Sequence, residues 1–381
     1  MTDEFVTAEE LGTEYTADLN IYFCDACRMV QTLHTMEPGK YYREYGYTVS
    51  ASPLAQRFMR RLAEETFRRF GFQGSDRVLE IGSGDGFQLA CFKERGARVL
   101  GFEPSGDLCR RARENGVKSV QRLFTTAETD QIPDELRPAQ VVLLSYTFDH
   151  LPDPQAVLEA IKTILDPQRG VLVIEIHDLE KVLERCETCL FEHEHTIYLH
   201  SGSLRRLLES AGYTFLTTRL LPDDERRANS LLVAVAPAGS EHTPDASNHR
   251  SDSPHLDTWD CYAEFAGRVE ESHKRLRQYV QGQIERGRQI AGYGAGGRGV
   301  MTLAMAGLDA ASIVYLCDAN PAIHGLYTPA THVPVVSPER LLEDSVDEVI
   351  VFSYGYLAEI RDQWRAFEAR GGQFTSLLDV L

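Results

Sequence analysis

The 381-residue chain lacks the features that would place it in a membrane or outside the cell. It has no apolar run near the ~18 residues that a membrane-spanning helix needs. Its acidic beginning, MTDEFVTAEELG, has neither the basic start nor the apolar core of a secretory signal. These absences predict a cytoplasmic protein with no membrane partner.

Basic residues are also scarce. Lysine and arginine number 39 against 57 aspartates and glutamates, so the formal net charge is −18. Such a chain has too few cations to displace counterions from nucleic-acid phosphates. The composition therefore argues against nucleic acid as a partner and favours a small-molecule substrate. A local basic pocket could still bind a phosphate group of such a substrate.

Short apolar runs rich in β-forming residues alternate with helical patterns from Val78 onward. The runs are RVLEIG, ARVLGFE, QVVLLS and GVLVIEI, and between them lie GFQLACFKERG, GDLCRRARENG and DPQAVLEAIKTIL. This alternation predicts an α/β fold with a parallel, doubly wound sheet. The pattern ends with SLLVAVAP, near Pro237.

The composition then changes at AGSEHTPDASNHRSDSPHLD, which has almost nothing to bury and is typical of a linker. A charged helical segment follows, and RQIAGYG, SIVYLCD and EVIVFSYG restart the alternation. We therefore predict four parts: an N-terminal cysteine-containing arm (1–52), an α/β domain (53–237), a linker (238–257) and a second, smaller α/β domain (258–381).

The first glycine loop, VLEIGSGDGF, places Gly82, Gly84 and Gly86 between a strand and a helix. Similar turns occur in NAD-binding folds, so the glycines alone decide little. Two carboxylates favour S-adenosylmethionine (SAM) over a purely structural turn. Glu80 can order the loop or neutralise the amino group of the ligand, and Glu103 in GFEPS can accept both ribose hydroxyls.

The second glycine loop, IAGYGAGGRG, contains Gly292, Gly294 and Gly297, and Asp318 closes the next strand at about the spacing of a dinucleotide fingerprint. One interpretation is the NAD site of an oxidoreductase. The other is a Rossmann-like domain that uses the loop for packing or for another nucleotide, with Arg298 and the adjacent helix N-terminus holding a phosphate.

The stretch FEHEHTIYLH, residues 191–200, concentrates titratable side chains. If it is extended, His193 and His195 lie on the same side, as metal ligands would. A histidine with an ordinary pKa of ~6.5 can instead exchange protons near neutral pH. A solvated polar loop is the third interpretation, and the residues alone leave all three open.

Several of these motifs together resemble the SAM-dependent C-methyltransferases that act on nucleotide-linked keto-deoxysugars. The similarity rests on CDACRMVQT, YYREYGYTVSAS, VLEIGSGDGF, EHEHTIYL and the tail GYGAGGRG…DANPAIHGLYTPATHVPVVSPERLLE. It implies a cysteine-rich zinc module, a class I SAM methyltransferase domain, and a Rossmann-like C-terminal domain that helps to bind the nucleotide-sugar and carries no NAD.

The resemblance also implies roles for single residues. His195 becomes the general base of a Tyr-x-Glu-His element, with Glu194 matching and Glu192 at the position of the tyrosine. His193 and His200 are then expected to be solvated. Further contacts are expected with SAM, through Pro104 and Ser145, and with the substrate, through Tyr198, Asn229, Gly294 and Arg298. The departures at Glu192, Ser145–Tyr146 and Asn229–Ser230 predict an altered acceptor.

Two C-x-x-C pairs, Cys24 with Cys27 and Cys186 with Cys189, each supply half of a tetrahedral zinc site. Without a secretion signal, a disulfide framework is not expected. One hypothesis is that the pairs meet in a Cys₄ zinc site that ties the arm to the active-site loop. The other is that all four are ordinary thiols.

The sequence thus predicts a SAM-dependent methyltransferase. The expected reaction is C-methylation next to the ketone of a nucleotide-linked deoxysugar, or of a related activated natural-product intermediate, through a histidine base and an enolate. The alternative is an O- or N-methyltransferase, in which His195 would deprotonate a heteroatom of a related natural-product intermediate. A third candidate is an NAD-type oxidoreductase built on the second glycine loop.

Overall fold

The computed structural model of the protein describes residues 4–14, 16–33, 37–43, 50, 52–222, 224–226, 229–245 and 253–381. By its internal contacts the chain divides into two compact units. We call Asn20–Lys181 with His193–Trp259 the large unit, and Met1–Leu19 with Val182–Glu192 and Asp260–Leu381 the small unit. Parts of two predicted segments lie outside the described residues: 44–49 and 51 of YYREYGYTVSAS, and 246–252 of the linker. Residues 227–228, directly before Asn229, lie outside them as well.

Among the described residues, ten strands precede the linker: β1 (Ile21–Phe23), β2 (Val30–Thr32), β3 (Arg77–Ile81), β4 (Arg98–Phe102), β5 (Ser119–Val120), β6 (Val141–Ser145), β7 (Val171–His177), β8 (Ile197–Tyr198), β9 (Tyr213–Leu220) and β10 (Ser230–Pro237). Seven of them form the central sheet, in the order β5-β4-β3-β6-β7-β10-β9. The strands from β5 to β7 are parallel, and β10 runs antiparallel between β7 and β9. The predicted doubly wound sheet is confirmed, and all four apolar runs are strands.

The described residues of the same part of the chain form seven α-helices: α1 (Pro38–Tyr41), α2 (Pro53–Phe70), α3 (Phe87–Lys93), α4 (Gly106–Glu114), α5 (Pro154–Ile164), α6 (Leu179–Glu184) and α7 (Ser201–Ser210). Local chemistry sets several of their ends. At α2, the Ser52 hydroxyl accepts a hydrogen bond from the Ala55 N–H, and Pro53 is the first helical residue. At α5, the Asp153 carboxylate accepts one from the Ala156 N–H, and Pro154 is the first helical residue. The three predicted helical stretches are α3, α4 and α5.

The central sheet has an apolar core on each face. Leu79 and Val142 belong to one buried cluster, whereas their neighbours Val78 and Val141 belong to the other. This division follows from the alternation of side chains along a strand. Because both faces are covered, the polar residues of the large unit concentrate at the ends of the strands.

A second sheet in the large unit joins distant parts of the chain. Strand β2 pairs antiparallel with β1 on one side and with β8 on the other. The N-terminal arm is therefore hydrogen-bonded to the strand that directly follows His195, a pairing that the sequence pattern does not indicate.

The small unit contains a parallel sheet of β11 (Ile290–Tyr293), β12 (Leu316–Cys317), β13 (Val335–Val336), β14 (Glu348–Val351) and β15 (Gln373–Ser376), in the order β13-β12-β11-β14-β15. Its helices are α8 (Trp259–Glu285), α9 (Gly297–Ala306), α10 (Arg340–Glu343), α11 (Leu357–Gln363) and α12 (Arg365–Ala369). The predicted second α/β fold is confirmed. Nowhere in the described chain does a helix have both the length and the apolar character to cross a membrane.

Candidate active site

The polar residues of the large unit gather at one edge of the central sheet. The first glycine loop follows β3, Glu103 follows β4, Ser145 ends β6 and His177 ends β7. These positions are the carboxyl ends of parallel strands, where open α/β sheets bind their ligands.

The glycine loop has a backbone that only glycine adopts easily. Gly82 has a φ of 72°, and a Cβ there would overlap the Thr147 side chain. Gly84 has a φ of 52°, and no atom of the described residues, apart from its chain neighbours, lies within 4 Å of the position that its Cβ would occupy. The first glycine thus allows close packing against the segment after β6, whereas the second leaves open space for a ligand.

Glu103 holds this loop in place. Its Oε2 accepts a hydrogen bond of 2.9 Å from the Gly84 N–H, and its Oε1 accepts one of 2.8 Å from the Ser105 N–H. Burial raises the pKa of Glu103, although both backbone donors partly oppose this shift. Each oxygen retains a second lone pair, so the carboxylate can still accept ribose hydroxyls.

An open cavity lies at Pro104, the residue after Glu103. It is lined by Pro104 together with Gly39, Arg43, Gln121, Arg122, Leu123, Thr125 and Glu128. The contact of Pro104 with SAM stays a prediction.

Glu80 is fully buried within β3. Its Oε1 accepts a hydrogen bond of 2.9 Å from Gln88, whose amide also donates to the Ser145 hydroxyl at 3.1 Å. Its Oε2 has no hydrogen-bond partner among the described residues. Burial and the nearby Asp85, together with other carboxylates, raise the pKa of Glu80 well above its usual value. An ammonium group beside Oε2 would supply the missing partner and the missing positive charge.

Three histidines and an aspartate lie together at the same edge, and we call Asp149, His150, His177 and His195 the histidine cluster. His195 is 3% exposed and Asp149 4%. The ring centroid of His195 lies 4.5 Å from that of His150, at right angles, and 5.7 Å from that of His177. Asp149 Oδ2 lies 3.4 Å from His177 Nδ1, and Asp149 Oδ1 lies 3.8 Å from His150 Nε2.

Two members of the cluster have shifted pKa values. Burial, followed by repulsion from His195, lowers the pKa of His150 to about 4, although Asp149 and Glu194 oppose this. Burial alone would raise the pKa of Asp149, but the hydrogen bond to His177 and the charges of the histidines outweigh it and lower that pKa. The aspartate is therefore anionic and His150 neutral near pH 7.

Residues from the N-terminal arm support the cluster. The Tyr42 hydroxyl lies 2.7 Å from His150 Nδ1, and the Thr32 hydroxyl donates a hydrogen bond of 3.0 Å to the backbone carbonyl of His195. The Tyr41 hydroxyl donates to Glu194 Oε1 at 3.3 Å. The arm thus positions residues of the candidate site, whether or not it binds zinc.

The structure corrects two expectations about FEHEHTIYLH. His193 and Glu194 form a turn, so the extended arrangement with His193 and His195 on one side is wrong. His200 is 2% exposed rather than solvated, and its Nδ1 accepts a hydrogen bond of 3.2 Å from the Gly202 N–H at the start of α7. Glu192 belongs to the small unit, whereas Glu194 and His195 belong to the large unit.

Sequence reasoning missed Asp149, His150 and His177. The available signal was position, because FDH follows the predicted strand QVVLLS and His177 ends GVLVIEI. Polar residues at the carboxyl ends of adjacent parallel strands are expected to meet.

Other residues frame the cluster. Tyr146 has a φ of 49°, an uncommon backbone for a non-glycine residue that often marks functional sites, and its ring centroid lies 4.5 Å from that of His177. Arg226 lies over the Tyr146 ring and forms a buried ion pair of 2.7 Å with Glu175. Two predicted substrate contacts, Tyr198 and Asn229, are buried, and the Tyr198 ring centroid lies 5.8 Å from that of His195.

Side chains of the small unit occupy the space around the second glycine loop. A Cβ at Gly292 would overlap Leu316 and Phe352, and one at Gly294, where φ is 99°, would overlap Ser353. The Ala295 N–H donates to Asp318 at 2.8 Å. Packing therefore accounts for Gly292 and Gly294, and a nucleotide at this loop stays a prediction.

Arg298 also has partners within the small unit. Its guanidinium lies 4.3 Å from the centroid of the Tyr354 ring, and the Tyr354 hydroxyl donates a hydrogen bond to Glu187. Predicted substrate contacts through Gly294 and Arg298 stay predictions.

The two cysteine pairs fall in different units. In the large unit, a backbone hydrogen bond at Cys27 is the main cause that lowers the pKa of Cys24, whereas burial raises that of Cys27. In the small unit, burial raises the pKa of Cys189 to about 11. Within either unit, no third described ligand stands beside a pair at metal-binding distance. The Cys₄ zinc site remains a prediction that elemental analysis would test.

Two sequence families match the chain. A methyltransferase domain matches residues 55–218, and a C-methyltransferase C-terminal domain matches residues 233–378. The C-methyltransferase C-terminal domain includes the second glycine loop. This loop therefore gives no support to the interpretation of the protein as an oxidoreductase.

Two curated relatives are methyltransferases as well. The C-methyltransferase NovU from Streptomyces niveus is 29% identical over 370 residues, which cover 96% of this chain and 87% of that protein. A ubiquinone biosynthesis O-methyltransferase from Aeromonas salmonicida (strain A449) is 31% identical over 150 residues, 36% of this chain and 62% of that protein. The similarity that spans both units is thus to a C-methyltransferase, and the two family matches support a SAM-dependent methyltransferase.

Proposed function

We propose that the protein transfers the methyl group of SAM to the carbon next to the ketone of a nucleotide-linked deoxysugar, or of a related activated natural-product intermediate, with His195 as general base. The observation that carries this proposal is the position of His195. It is buried beside the Asp149 carboxylate, at the sheet edge where the first glycine loop ends.

Methylation of carbon needs a carbanion equivalent. A neutral His195 would take the proton next to the ketone, and the electron pair of the C–H bond would form an enolate. The enolate carbon would then attack the sulfonium methyl in line, and S-adenosylhomocysteine (SAH) would leave. A positioned base of this kind contributes ~10²–10⁴-fold to a rate, and holding both reactants in line adds to it.

The histidine cluster suits this proton transfer. An imidazolium at His195 would form beside the anionic Asp149, whose charge attracts it in a site with little water. Glu194, held by Tyr41, precedes His195 in the chain and is a second nearby carboxylate. The arm also restrains the backbone of His195 through Thr32. These contacts would keep the base in one orientation.

SAM would bind at the same edge of the central sheet, to residues other than those of the histidine cluster. Glu80 Oε2 would accept the ammonium group, Glu103 the ribose hydroxyls, and the open space at Gly84 would admit the amino acid part. Ser145, at the end of β6, is linked to these SAM-binding residues. Its hydroxyl accepts a hydrogen bond from the Gln88 amide, which also donates one to Glu80.

The acceptor class rests on resemblance. The tail that matches the family of nucleotide-linked ketosugar methyltransferases belongs to the small unit, and the matching C-methyltransferase C-terminal domain covers most of that unit. The O-methyltransferase relative covers only 36% of the chain. Transfer to carbon is therefore favoured over transfer to oxygen or nitrogen.

The test is an incubation with ¹³C-methyl SAM and a panel of nucleotide-linked ketosugars, read by mass spectrometry and carbon NMR. We expect label on a carbon next to the ketone. His195→Ala should lower the rate by ~10²-fold or more, the low end of the contribution of a positioned base. The exposed His255→Ala is the control and should keep the full rate.

Two results would overturn the proposal. Label on oxygen or nitrogen would exclude the enolate route, and an unchanged rate in His195→Ala would exclude this base. SAH binding should be equal in both variants, which separates a catalytic defect from a failure to fold.

A further inference from the structure

The histidine cluster has the composition of a transition-metal site as well as that of a base. One donor atom each from Asp149, His150 and His195 lies within 4.8 Å of the other two. Two histidines and one carboxylate are a ligand set that proteins use for divalent transition-metal ions. Three protein ligands also leave room for water or for a substrate oxygen.

The distance between two of the donor atoms fits an ion. Asp149 Oδ1 and His150 Nε2 lie 3.8 Å apart. Ligand bonds of about 2.1 Å from each atom span that gap, because twice this length exceeds the separation. Asp149 Oδ1 is buried and has no hydrogen-bond partner among the described residues. A buried carboxylate oxygen without a partner is costly, and a cation would compensate for it.

The second carboxylate oxygen of Asp149 and the second ring nitrogen of His150 already have partners. His150 Nδ1 lies 2.7 Å from the Tyr42 hydroxyl, which leaves Nε2 as the nitrogen that faces Asp149. His177 Nδ1 lies 3.4 Å from Asp149 Oδ2. Metal-binding histidines and carboxylates usually have such outer partners, which orient them for the ion.

We propose that Asp149, His150 and His195 bind a divalent transition-metal ion, and that a bound ion prevents His195 from acting as a base. The coordinate bond would use the imidazole electron pair that otherwise accepts the substrate proton, so ion and proton compete. This second part rests on the proposed function. The ligand atoms are nitrogen and oxygen, which distinguishes this site from the predicted Cys₄ site.

The experiment uses the full chain, stripped of metal with a chelator. Zn²⁺ and Co²⁺ are titrated by calorimetry, and the bound ion is counted by elemental analysis. We expect one ion per chain at this site and a Co²⁺ absorption spectrum without a sulfur-to-cobalt charge-transfer band. Asp149→Asn and His150→Gln should each weaken binding by more than about 10-fold, the lower limit for changes to outer-shell partners.

Two controls keep the result interpretable. His255→Ala and the double variant Cys24→Ser/Cys27→Ser should bind the ion as tightly as the unmodified protein. SAH binding reports whether Asp149→Asn and His150→Gln are folded, because the residues expected to hold SAM are separate from these ligands. If either variant loses SAH binding, Asp149→Glu replaces it in the comparison.

The outcomes separate the two proposals. No ion binding, equal binding in the ligand variants, or a single bound ion that shows a charge-transfer band would overturn the metal site. With an active acceptor, Zn²⁺ should inhibit methyl transfer and a chelator should restore it, whereas activation by Zn²⁺ would overturn the competition. If no acceptor is methylated, the proposed function fails, and the titration still decides the metal site.

Discussion

Glu80 illustrates what a single buried side chain does here. Gln88 holds one oxygen, and the other has no partner among the described residues. We predict that Glu80→Gln weakens SAH binding by ~10- to 100-fold, because a hydrogen bond to a charged group is worth ~1.5–3 kcal/mol. Calorimetry measures this loss. The apo protein should be as stable as before or more so, since a neutral amide avoids the desolvation that raises the pKa of Glu80.

The exposed Glu135→Gln is the matched control and should bind SAH normally. If both variants keep their affinity, Glu80 does not contact the ammonium group. If Glu80→Gln unfolds the protein instead, the carboxylate has a structural role.

At the scale of elements, strand β2 places the candidate base. It pairs with β8, and the Thr32 hydroxyl donates to the carbonyl of His195. We predict that Thr32→Val lowers the free energy of unfolding by ~1 kcal/mol, the usual value of one hydrogen bond. It should also reduce kcat for methyl transfer by about tenfold, since small displacements of catalytic groups are costly. Urea unfolding and turnover of labelled SAM measure the two effects.

Thr163→Val provides the comparison, because Thr163 also donates to a backbone carbonyl, that of Ala160 in α5. It should lose stability without loss of kcat. An equal loss of kcat in both variants would show that β2 has no specific influence on His195.

At the scale of the whole molecule, two α/β units each have a glycine loop, yet only one is expected to bind a nucleotide cofactor. Thermal unfolding with SAH and with NAD should separate them. SAH at about 100 times its Kd stabilises by ~2.7 kcal/mol, so we expect a clear rise in Tm. NAD should cause none, because the packing of Gly292 and Gly294 and the bond from Ala295 to Asp318 complete the second loop.

Glu80→Gln is the control for this screen, since it should reduce the shift with SAH. A rise in Tm with NAD that persists in Glu80→Gln would mean that the second loop binds a dinucleotide after all.

The sequence by itself determined the elements that depend on neighbouring residues. Alternation of apolar runs and helical patterns predicted β3, β4, β6, β7 and the helices between them, because side-chain periodicity is local. The glycines and carboxylates of VLEIGSGDGF and GFEPS were equally visible, since a tight turn and its acidic partners lie close in the chain. His195 could be selected as a candidate base, but only with the help of a family resemblance.

Tertiary structure alone decided which distant residues meet. Asp149, His177 and His195 come from three separate segments. The pairing of β6 with β7 and the hydrogen bond from the Thr196 N–H to the Asp149 carbonyl bring these segments together. The pairing of β2 with β8 and the turn at His193–Glu194 likewise depend on long-range hydrogen bonding rather than on local pattern. A buried carboxylate beside three histidines acquires its charge and its chemistry from that enclosure, which no single stretch of sequence contains.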